Sequence, residues 1–393
     1  RQGSNSGTDN TAVGYFALQQ NSTGSANVAI GREASRSTTT AGNNVVVGYA
    51  AGYQNSGASN LVLIGSQAGY NVTTALTASV NSIFIGYQAG YGGSTGGYYQ
   101  NTGIGFQSQY SLTTGYYNTS LGHQTLYSTT SGNNNTAVGY QALYSNQTGA
   151  SNAALGKGAL YSTTTGNSNV AIGDSAVNGN TTGIANIGIG SGISGVLNAA
   201  LSNQTTGSYN VAIGSGAISQ IIAGYSNNTA VGYQALLQVS GNTNTAIGSS
   251  SGSAMTTGNY NTILGSFTGN QNGLDIHTAN NYTVLSDGAG NVNVAYKTSY
   301  NLNIGPTTLT ITIPTGVTGI AHVNAVQGGV GTSYTQIPFA KSTGGTLAIG
   351  TATTVTVTAN PLGTISTSSN NITAVVTYAN TNVDVYLQLF PIY

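Results

Sequence analysis

The stretch Asn135-Thr-Ala-Val-Gly-Tyr-Gln-Ala-Leu143 is one copy of a motif that recurs along most of this chain. Its core is a pentad of the form Asn-x-x-aliphatic-Gly, and the pentad glycine usually returns after seventeen residues. These glycines are Gly14, Gly31, Gly48, Gly65, Gly86, Gly105, Gly122, Gly139, Gly156, Gly173, Gly190, Gly214, Gly232, Gly248 and Gly265. A fixed period of this length is typical of a solenoid, in which each repeat packs only on its neighbours.

Two positions of the pentad predict how a coil begins. The fourth position is always aliphatic, as in Val138 and Ile172, so this column needs a continuous dry environment. Its alternation with small residues suits a short strand with one face inward. The glycine that follows, as in Gly139 and Gly173, permits the positive φ of a tight corner.

Further positions complete the predicted coil. A small residue three places after the pentad glycine, as in Ala142 and Ala176, indicates that backbones or neighbouring subunits approach closely there. A second glycine, such as Gly132, precedes the next pentad by three residues and marks another corner. Two short strands and two glycine corners in seventeen residues describe one coil of a β-roll, and some sixteen such coils would form a shaft.

The asparagine that heads each pentad, as in Asn135 and Asn169, has two interpretations. Identical amides at one position of stacked coils can form a hydrogen-bonded ladder. Asparagine also tolerates left-handed φ, which suits a corner. The sequence leaves both interpretations open, and they are compatible.

The composition narrows the range of functions. Charged residues make up 3% of the chain, against about 25% in ordinary soluble domains. Lys and Arg together number six, as do Asp and Glu, so no basic patch is available for phosphate neutralisation and nucleic acid is not an expected partner. No apolar run reaches the roughly 20 residues that span a bilayer, so membrane insertion is not expected. The six carboxylates are scattered, which argues against paired-carboxylate hydrolysis.

The position after the pentad glycine accepts aromatic residues and both signs of charge, so this column is predicted to face solvent. Its members include Tyr15, Arg32, Tyr49, Tyr87, Phe106, His123, Tyr140, Lys157 and Asp174. The charged members are therefore interpreted as solvated groups. We predict no catalytic residue, no metal site and no cofactor.

The period fails after Gly265, and alternating β-branched segments begin near Leu302. The predicted organisation is a β-solenoid shaft over residues 1–269, a transition over 270–300 and a β-sandwich-like module of about eight strands over 301–393. This module is interpreted either as a receptor-contacting tip or as a trimerisation cap. Its weak candidates for receptor binding are the tyrosines Tyr334, Tyr378, Tyr386 and Tyr393.

The pentad with its following Gly-x-x-Ala resembles the head repeat of trimeric autotransporter adhesins, a left-handed parallel β-roll. The segments 135–142 and 228–235 are similar to repeats of phage tail-fibre proteins, as is the Leu-Ser-Asp-Gly segment within Asn281–Asn291. The resemblance covers about residues 10–291. It implies a homotrimer of parallel chains, in which three packed rolls would hide apolar outer faces.

The expected function is that of a structural, non-enzymatic homotrimeric fibre of the viral tail or appendage type. It would lie in the virion or outside the cell, bind a host cell-surface glycan or protein receptor, and connect to other tail proteins through sequence upstream of residue 1. The alternatives are a bacterial extracellular adhesin and a self-assembling filament subunit.

Overall fold

The fold was analysed in a computed structural model. It describes residues 6–73, 81–92, 100–192, 199–203, 205–220, 224–271 and 273–297, and beyond these the backbone of eight C-terminal strands. The described residues are all-β and contain no helix. The repeat is irregular in sequence over 71–80 and 191–205, and within these spans residues 74–80, 193–198 and 204 lie outside the described residues. The chain divides into two units, residues 1–226 and 227–393, which are described separately below.

The first unit is a parallel β-solenoid with one three-residue strand in each coil. Every strand pairs in parallel with the next, so that equivalent residues of the repeat are partners, for example Ala137 with Ala154. The strands are β1 (Thr11–Val13), β2 (Val28–Ile30), β3 (Val45–Val47), β4 (Val62–Ile64), β5 (Ile83–Ile85), β6 (Thr102–Ile104), β7 (Thr119–Leu121), β8 (Thr136–Val138), β9 (Ala153–Leu155), β10 (Val170–Ile172), β11 (Ile187–Ile189) and β12 (Val211–Ile213). The predicted solenoid is confirmed.

The strand face that points into the coil is not the aliphatic one. The middle residue of the strand is fully buried, as at Ala137, Ala154 and Ala171. The aliphatic third residue points outward and is partly exposed, reaching 51% at Leu155 and 39% at Ile172. Period-two alternation correctly predicts a two-faced strand, but it does not say which face is inside. The inward position holds a small residue in most coils and Val46, Leu63 or Phe84 in others.

The second predicted strand is absent from the described coils, and a run of turns takes its place. Gln141 and Leu143 both have left-handed φ, at 54° and 52°, which breaks any extended conformation. The run nevertheless bonds to adjacent coils, because the Gln141 N–H donates to the carbonyl of His123 and the Leu143 N–H to that of Ala159. Bonds between coils therefore offset the strain of non-glycine residues at positive φ.

The core is balanced in volume between the strand and this run of turns. Where the middle strand residue is small, as at Ala137, the turn contributes a fully buried leucine such as Leu143. Where the strand contributes Phe84, the facing turn residue is Gly90, and a Cβ added to Gly90 would lie 2.5 Å from the phenyl ring. Large and small residues thus exchange places from coil to coil while the interior stays filled.

The head asparagines form the predicted amide ladder. Asn152 Nδ2 donates to Asn135 Oδ1 at 3.2 Å and to the Gly166 carbonyl at 2.8 Å, and Asn152 Oδ1 accepts from the Asn169 N–H at 2.9 Å. These asparagines are at most 1% exposed. The alternative interpretation is wrong at this position, because positive φ falls one residue earlier, at 57° for Asn134.

The two glycine corners have different causes. Gly139 adopts a φ of 128°, as predicted, and a Cβ there would lie 2.6 Å from the carbonyl oxygen of Gly156. Gly132 has no positive φ, so the conformational argument does not hold for it. It is required because a Cβ would come within 2.5 Å of the Gly149 carbonyl oxygen in the next coil.

The second unit begins with three further coils and then changes topology. Its coil strands are β13 (Thr229–Val231), β14 (Thr245–Ile247) and β15 (Thr262–Leu264), followed by the hairpin β16 (Asn270–Gln271) and β17 (Leu274–Asp275) and by β18 (Tyr282–Ser286) and β19 (Val292–Lys297). β18 continues the parallel register of β15, and β19 then pairs antiparallel with β18. The buried side chains of Phe267, Leu274 and Ile276 fill the region beside these strands.

Eight strands are described in the C-terminal region, where about eight were predicted. They are β20 (Thr307–Thr312), β21 (Val317–Gln327), β22 (Thr332–Lys341), β23 (Leu347–Ile349), β24 (Thr353–Thr356), β25 (Leu362–Ser368), β26 (Asn371–Val376) and β27 (Thr381–Pro391). β21 lies between β22 and β27 and pairs antiparallel with both, and β27 also pairs with β19, so these strands continue the sheet of the preceding strands. β26 lies between β20 and β25 in a separate three-stranded antiparallel sheet. The side chains that would pack one sheet on the other lie outside the described residues.

Candidate functional site

The outward strand face forms an exposed aliphatic column along the first unit. It comprises the third residue of each strand, and the members that are more than one third exposed are Val13, Ile30, Ile64, Leu121, Leu155, Ile172 and Ile213. Val138 belongs to the same column and is half-buried. The second unit repeats the pattern at Ile247, Leu264 and Leu285. Parallel sheets are normally covered on both faces, so this surface is exceptional in a single chain.

The remaining repeat residues singled out from the sequence lie inside the coil. Ala142 and Ala176 are fully buried, and Asn135 and Asn169 belong to the buried amide ladder. Gly173 repeats the corner of Gly139, with a φ of 127°. The close approach at the alanine column is therefore between parts of the same chain.

A second surface feature is a tyrosine ladder, which the sequence analysis did not single out. The seven rings of Tyr53, Tyr70, Tyr91, Tyr110, Tyr127, Tyr144 and Tyr161 stack with centroids 5.0 to 5.2 Å apart and planes within 18° of parallel. The signal was available, since four of them recur at a seventeen-residue step. Because each inner ring lies between two others, the ladder offers mainly ring edges and hydroxyls to solvent.

Burial in this ladder affects the acidity of three of its hydroxyls. Desolvation raises the pKa of Tyr70, Tyr110 and Tyr144 above the ordinary tyrosine value, and neighbouring tyrosines of the ladder raise it further. The neutral phenol is therefore favoured at these three positions.

The column after the pentad glycine is exposed, as predicted, and we call it the outer column. Tyr87, Phe106, His123 and Tyr140 stack within it at centroid distances of 4.8 to 5.2 Å. Nearer the N-terminus, the Arg32 guanidinium carbon lies 6.0 Å from the Tyr15 ring centroid and 5.8 Å from that of Tyr49, within the range of cation–π contacts. The charged members are well exposed, with 62% for the side chain of Arg32 and 68% for Lys157.

A glutamine ladder runs along the next position of the repeat. The side-chain amide of each glutamine donates to the carbonyl oxygen of the glutamine in the preceding coil, from Gln141 to Gln124, Gln107, Gln88 and Gln67, at 2.8 to 3.0 Å. The Asn and Gln ladders satisfy polar groups within the chain, so they do not offer free groups for catalysis.

Two carboxylates of the second unit, Asp275 and Asp287, are each held by nearby residues of the chain. Asp275 contacts the His277 ring, and the Asp287 carboxylate accepts hydrogen bonds from the Ala289 and Asn291 backbones and from the Asn291 side chain. Hydrogen bonding, first from the Asn291 side chain, lowers the pKa of Asp287. In the part of the chain that is described, no three His, Cys, Asp or Glu residues are placed to share a metal ion.

The candidate receptor residues of the C-terminal region are only partly located. Tyr334 lies in β22 opposite Asn324 of β21, and Tyr386 lies in β27 opposite His322. Since Asn324 and His322 are two positions apart on one strand, the register puts both tyrosine positions on the same face of the sheet. Tyr378 and Tyr393 lie outside the described residues.

Comparison with protein-family models, with curated proteins and with solved structures gives no match for this chain. No helix long and apolar enough to cross a bilayer occurs among the described residues.

Proposed function

We propose that this chain is the structural subunit of a homotrimeric fibre that attaches to a host surface. The observation that carries the proposal is the exposed aliphatic column, which a single chain leaves in water at coil after coil. Covering the exposed half of one leucine such as Leu155 contributes about 1 kcal/mol, and the contribution recurs along the solenoid. Parallel association of identical chains would align these columns and cover them in every coil.

Several features support a structural role over catalysis. The polar side chains of the coil interior are largely used in ladders, and the charged groups of the outer column are exposed and scattered. A repeat stabilised by nearest-neighbour contacts is suited to building an extended scaffold. The resemblance to phage tail fibres favours a viral tail or appendage fibre located in the virion, with its host-contacting region at the C-terminal module or on the solenoid flank.

The oligomeric state tests the first part of the proposal. Sedimentation equilibrium should give three times the chain mass of 39.4 kDa, or about 118 kDa. The double variant Leu155→Glu and Ile172→Glu should lower this mass while circular dichroism still shows a β-rich fold, because both side chains already face outward in the single chain. The variant Thr148→Glu and Thr165→Glu changes two exposed residues with the same seventeen-residue separation and should remain trimeric. A monomeric wild-type chain would refute the proposal.

Attachment is tested separately. Removal of residues 301–393 should abolish adhesion to host cells if the C-terminal module contacts the receptor, and adhesion that survives would move the receptor site to the solenoid flank.

A second candidate function, a self-assembling filament subunit, is favoured by the same exposed column. Electron micrographs separate the two, because long polymers without particles indicate a filament and fibres attached to a particle indicate a tail appendage.

A further inference from the structure

The outer column is interrupted at the fourth coil. Ser66 stands between Tyr49 and Tyr87, since the Gln67 N–H donates to the Tyr49 carbonyl at 2.8 Å and the Gln88 N–H to the Ser66 carbonyl at 3.0 Å. The same bond joins Gln107 to Tyr87, so the three positions are equivalent in successive coils. Two aromatic rings therefore project from coils about 10 Å apart, twice the usual strand spacing, with a serine between them.

Neighbouring coils show what such an interval can hold. Arg32 places its planar guanidinium between Tyr15 and Tyr49, and the Phe106 ring lies between Tyr87 and His123 at 5.2 and 4.8 Å. One coil step of this column thus accommodates one planar group stacked on both sides. At Ser66 the chain provides no such group.

Two aromatic faces are consequently left without a stacking partner. Among the described residues, Tyr49 has a cation–π contact only with Arg32, and Tyr87 stacks only with Phe106. Their remaining faces are turned toward the coil of Ser66, and the two side chains are 48% and 45% exposed. We call the space bounded by Tyr49, Ser66 and Tyr87 the coil-4 slot.

Polar groups lie beside this slot. Gln67 is the last member of the glutamine ladder, and its side-chain oxygen accepts from Gln88. The preceding coil has Ala50 at this position, so the Gln67 amide nitrogen donates no hydrogen bond within the described residues. The Ser66 hydroxyl likewise adds a possible donor, which favours an occupant that carries an acceptor.

The charge distribution favours a neutral occupant. Arg32 already covers the opposite face of Tyr49, so a cation in the slot would lie about 10 Å from a like charge. That repulsion is largely screened at physiological salt, and Glu33 lies 3.8 Å from Arg32, so the surroundings of the slot attract neither sign of charge strongly. The interval also matches the thickness of a planar group, because stacked rings in this column repeat at 4.8 to 5.2 Å.

We propose that the coil-4 slot binds a neutral planar aromatic ring bearing a hydrogen-bond acceptor, of the phenol class, stacked between Tyr49 and Tyr87. The ring can belong to a free phenolic compound or to a tyrosine side chain of another protein chain, since the recognising contacts are the same. This binding site goes beyond the proposed fibre function and does not depend on it.

The probe is p-cresol, added to the full chain and followed by saturation-transfer NMR. Binding should be saturable with a dissociation constant on the order of 1 mM, as expected for a fragment held by two aromatic faces. 4-Methylcyclohexanol has a similar size but no planar ring, and it should not saturate the site. Equal binding of both compounds would overturn the proposal.

Variants test whether p-cresol binds in the coil-4 slot. Ser66→Tyr adds to the outer column a ring like those of Tyr49 and Tyr87, which should fill the slot and abolish p-cresol binding. Lys157→Tyr also adds a ring to the outer column but far from the slot, and it should leave binding unchanged. Ser66→Ala should retain stacking with weaker affinity. Unchanged p-cresol binding in the Ser66→Tyr protein would refute the assignment.

The same variant separates the two sources of the ring. If a tyrosine of another copy occupies the slot, Ser66→Tyr should lower the mass measured by sedimentation equilibrium. If a free phenolic compound is the occupant, the mass should stay the same while p-cresol binding is lost. The variants at Leu155 and Ile172 change the exposed aliphatic column instead. Failure of the fibre proposal would therefore show in the mass of the wild-type chain and of those variants, and failure of the slot proposal in p-cresol binding by the Ser66→Tyr protein.

Discussion

Replacing Asn152 by alanine should test whether the amide ladder stabilises the solenoid. The substitution removes four hydrogen bonds, two donated by Asn152 Nδ2 and two accepted by Asn152 Oδ1. Asn135 Oδ1 keeps the bond from the backbone N–H of residue 152, and Asn169 Nδ2 keeps its bond to the Gly183 carbonyl. The Gly166 carbonyl and the Asn169 N–H are the groups left without a partner.

The magnitude follows from these two orphaned groups. A buried polar group left unsatisfied costs about 1–3 kcal/mol, so Asn152→Ala should lower the free energy of unfolding by about 2–6 kcal/mol. The control is Asn167→Ala in the adjacent loop. Asn167 accepts one exposed hydrogen bond, from the Ala150 N–H at 2.7 Å, and water can replace it. Its loss should cost at most about 1 kcal/mol.

The assay is urea unfolding of both variants at one protein concentration, combined with hydrogen exchange of the amides in β9 and β10. Equal concentrations are needed because association would shift the apparent stability. Faster exchange should be concentrated around residues 152–169, since each coil depends mainly on its neighbours. Equal losses in Asn152→Ala and Asn167→Ala would refute the ladder argument.

The variant Asn152→Asp adds a pH dependence with a defined sign. An ionised carboxylate would face the Gly166 carbonyl and Asn135 Oδ1, two acceptors that now receive hydrogen bonds. Burial and these acceptors raise the folded-state pKa above the unfolded value of about 3.9. The variant should therefore be least destabilised below the unfolded pKa, and its stability should fall as pH rises through the interval up to the folded pKa. A pH-independent deficit would contradict this.

Two further predictions concern other parts of the chain. Gly139→Ala should lower the free energy of unfolding in urea by several kcal/mol, because its φ of 128° is unfavourable for alanine and the added Cβ would lie 2.6 Å from the Gly156 oxygen. The control is Gly288→Ala, which should be neutral because nothing lies within 4 Å of the added Cβ. Equal effects would contradict the steric argument. The Asn291 amide, which donates to Asp287, should lose protection relative to its intrinsic exchange rate as pH falls through the lowered pKa of the carboxyl, because protonation weakens the accepted hydrogen bonds. Asp287→Asn should remove this pH dependence of the protection.

The solenoid could be predicted from the sequence because its main determinants are periodic. The seventeen-residue return of the pentad identifies the coil, and the asparagine column allows two interpretations, of which the bonds of Asn152 confirm the ladder. The alternating segments after Leu302 predicted about eight strands, and eight are described there. In each case, many equivalent positions carry the same signal, so one irregular residue does not hide it.

The details that could not be predicted depend on packing inside the coil and on local strain. The sequence shows that Ala137 and Val138 alternate, but only the folded coil, in which Leu143 is buried as well, shows that alanine points inward. The turn that replaces the expected second strand uses left-handed φ at Gln141 and Leu143, residues with no local preference for it. Bonds to the adjacent coils stabilise that conformation, and such bonds cannot be inferred from one repeat alone.

Several departures from the repeat occur together in the fourth to sixth coils, between coils that keep it, and this grouping bears on function. Leu61 and Ser82 replace head asparagines, and Ser66 interrupts the outer column. The strand residue next to Phe84 in the following coil is Gly103, where an added Cβ would lie 2.9 Å from the Phe84 ring. Because contacts extend only to adjacent coils, each departure requires a compensating change nearby. A segment that is adapted in this way while its neighbours keep the repeat is where a specific binding site is most expected, and the coil-4 slot lies within it.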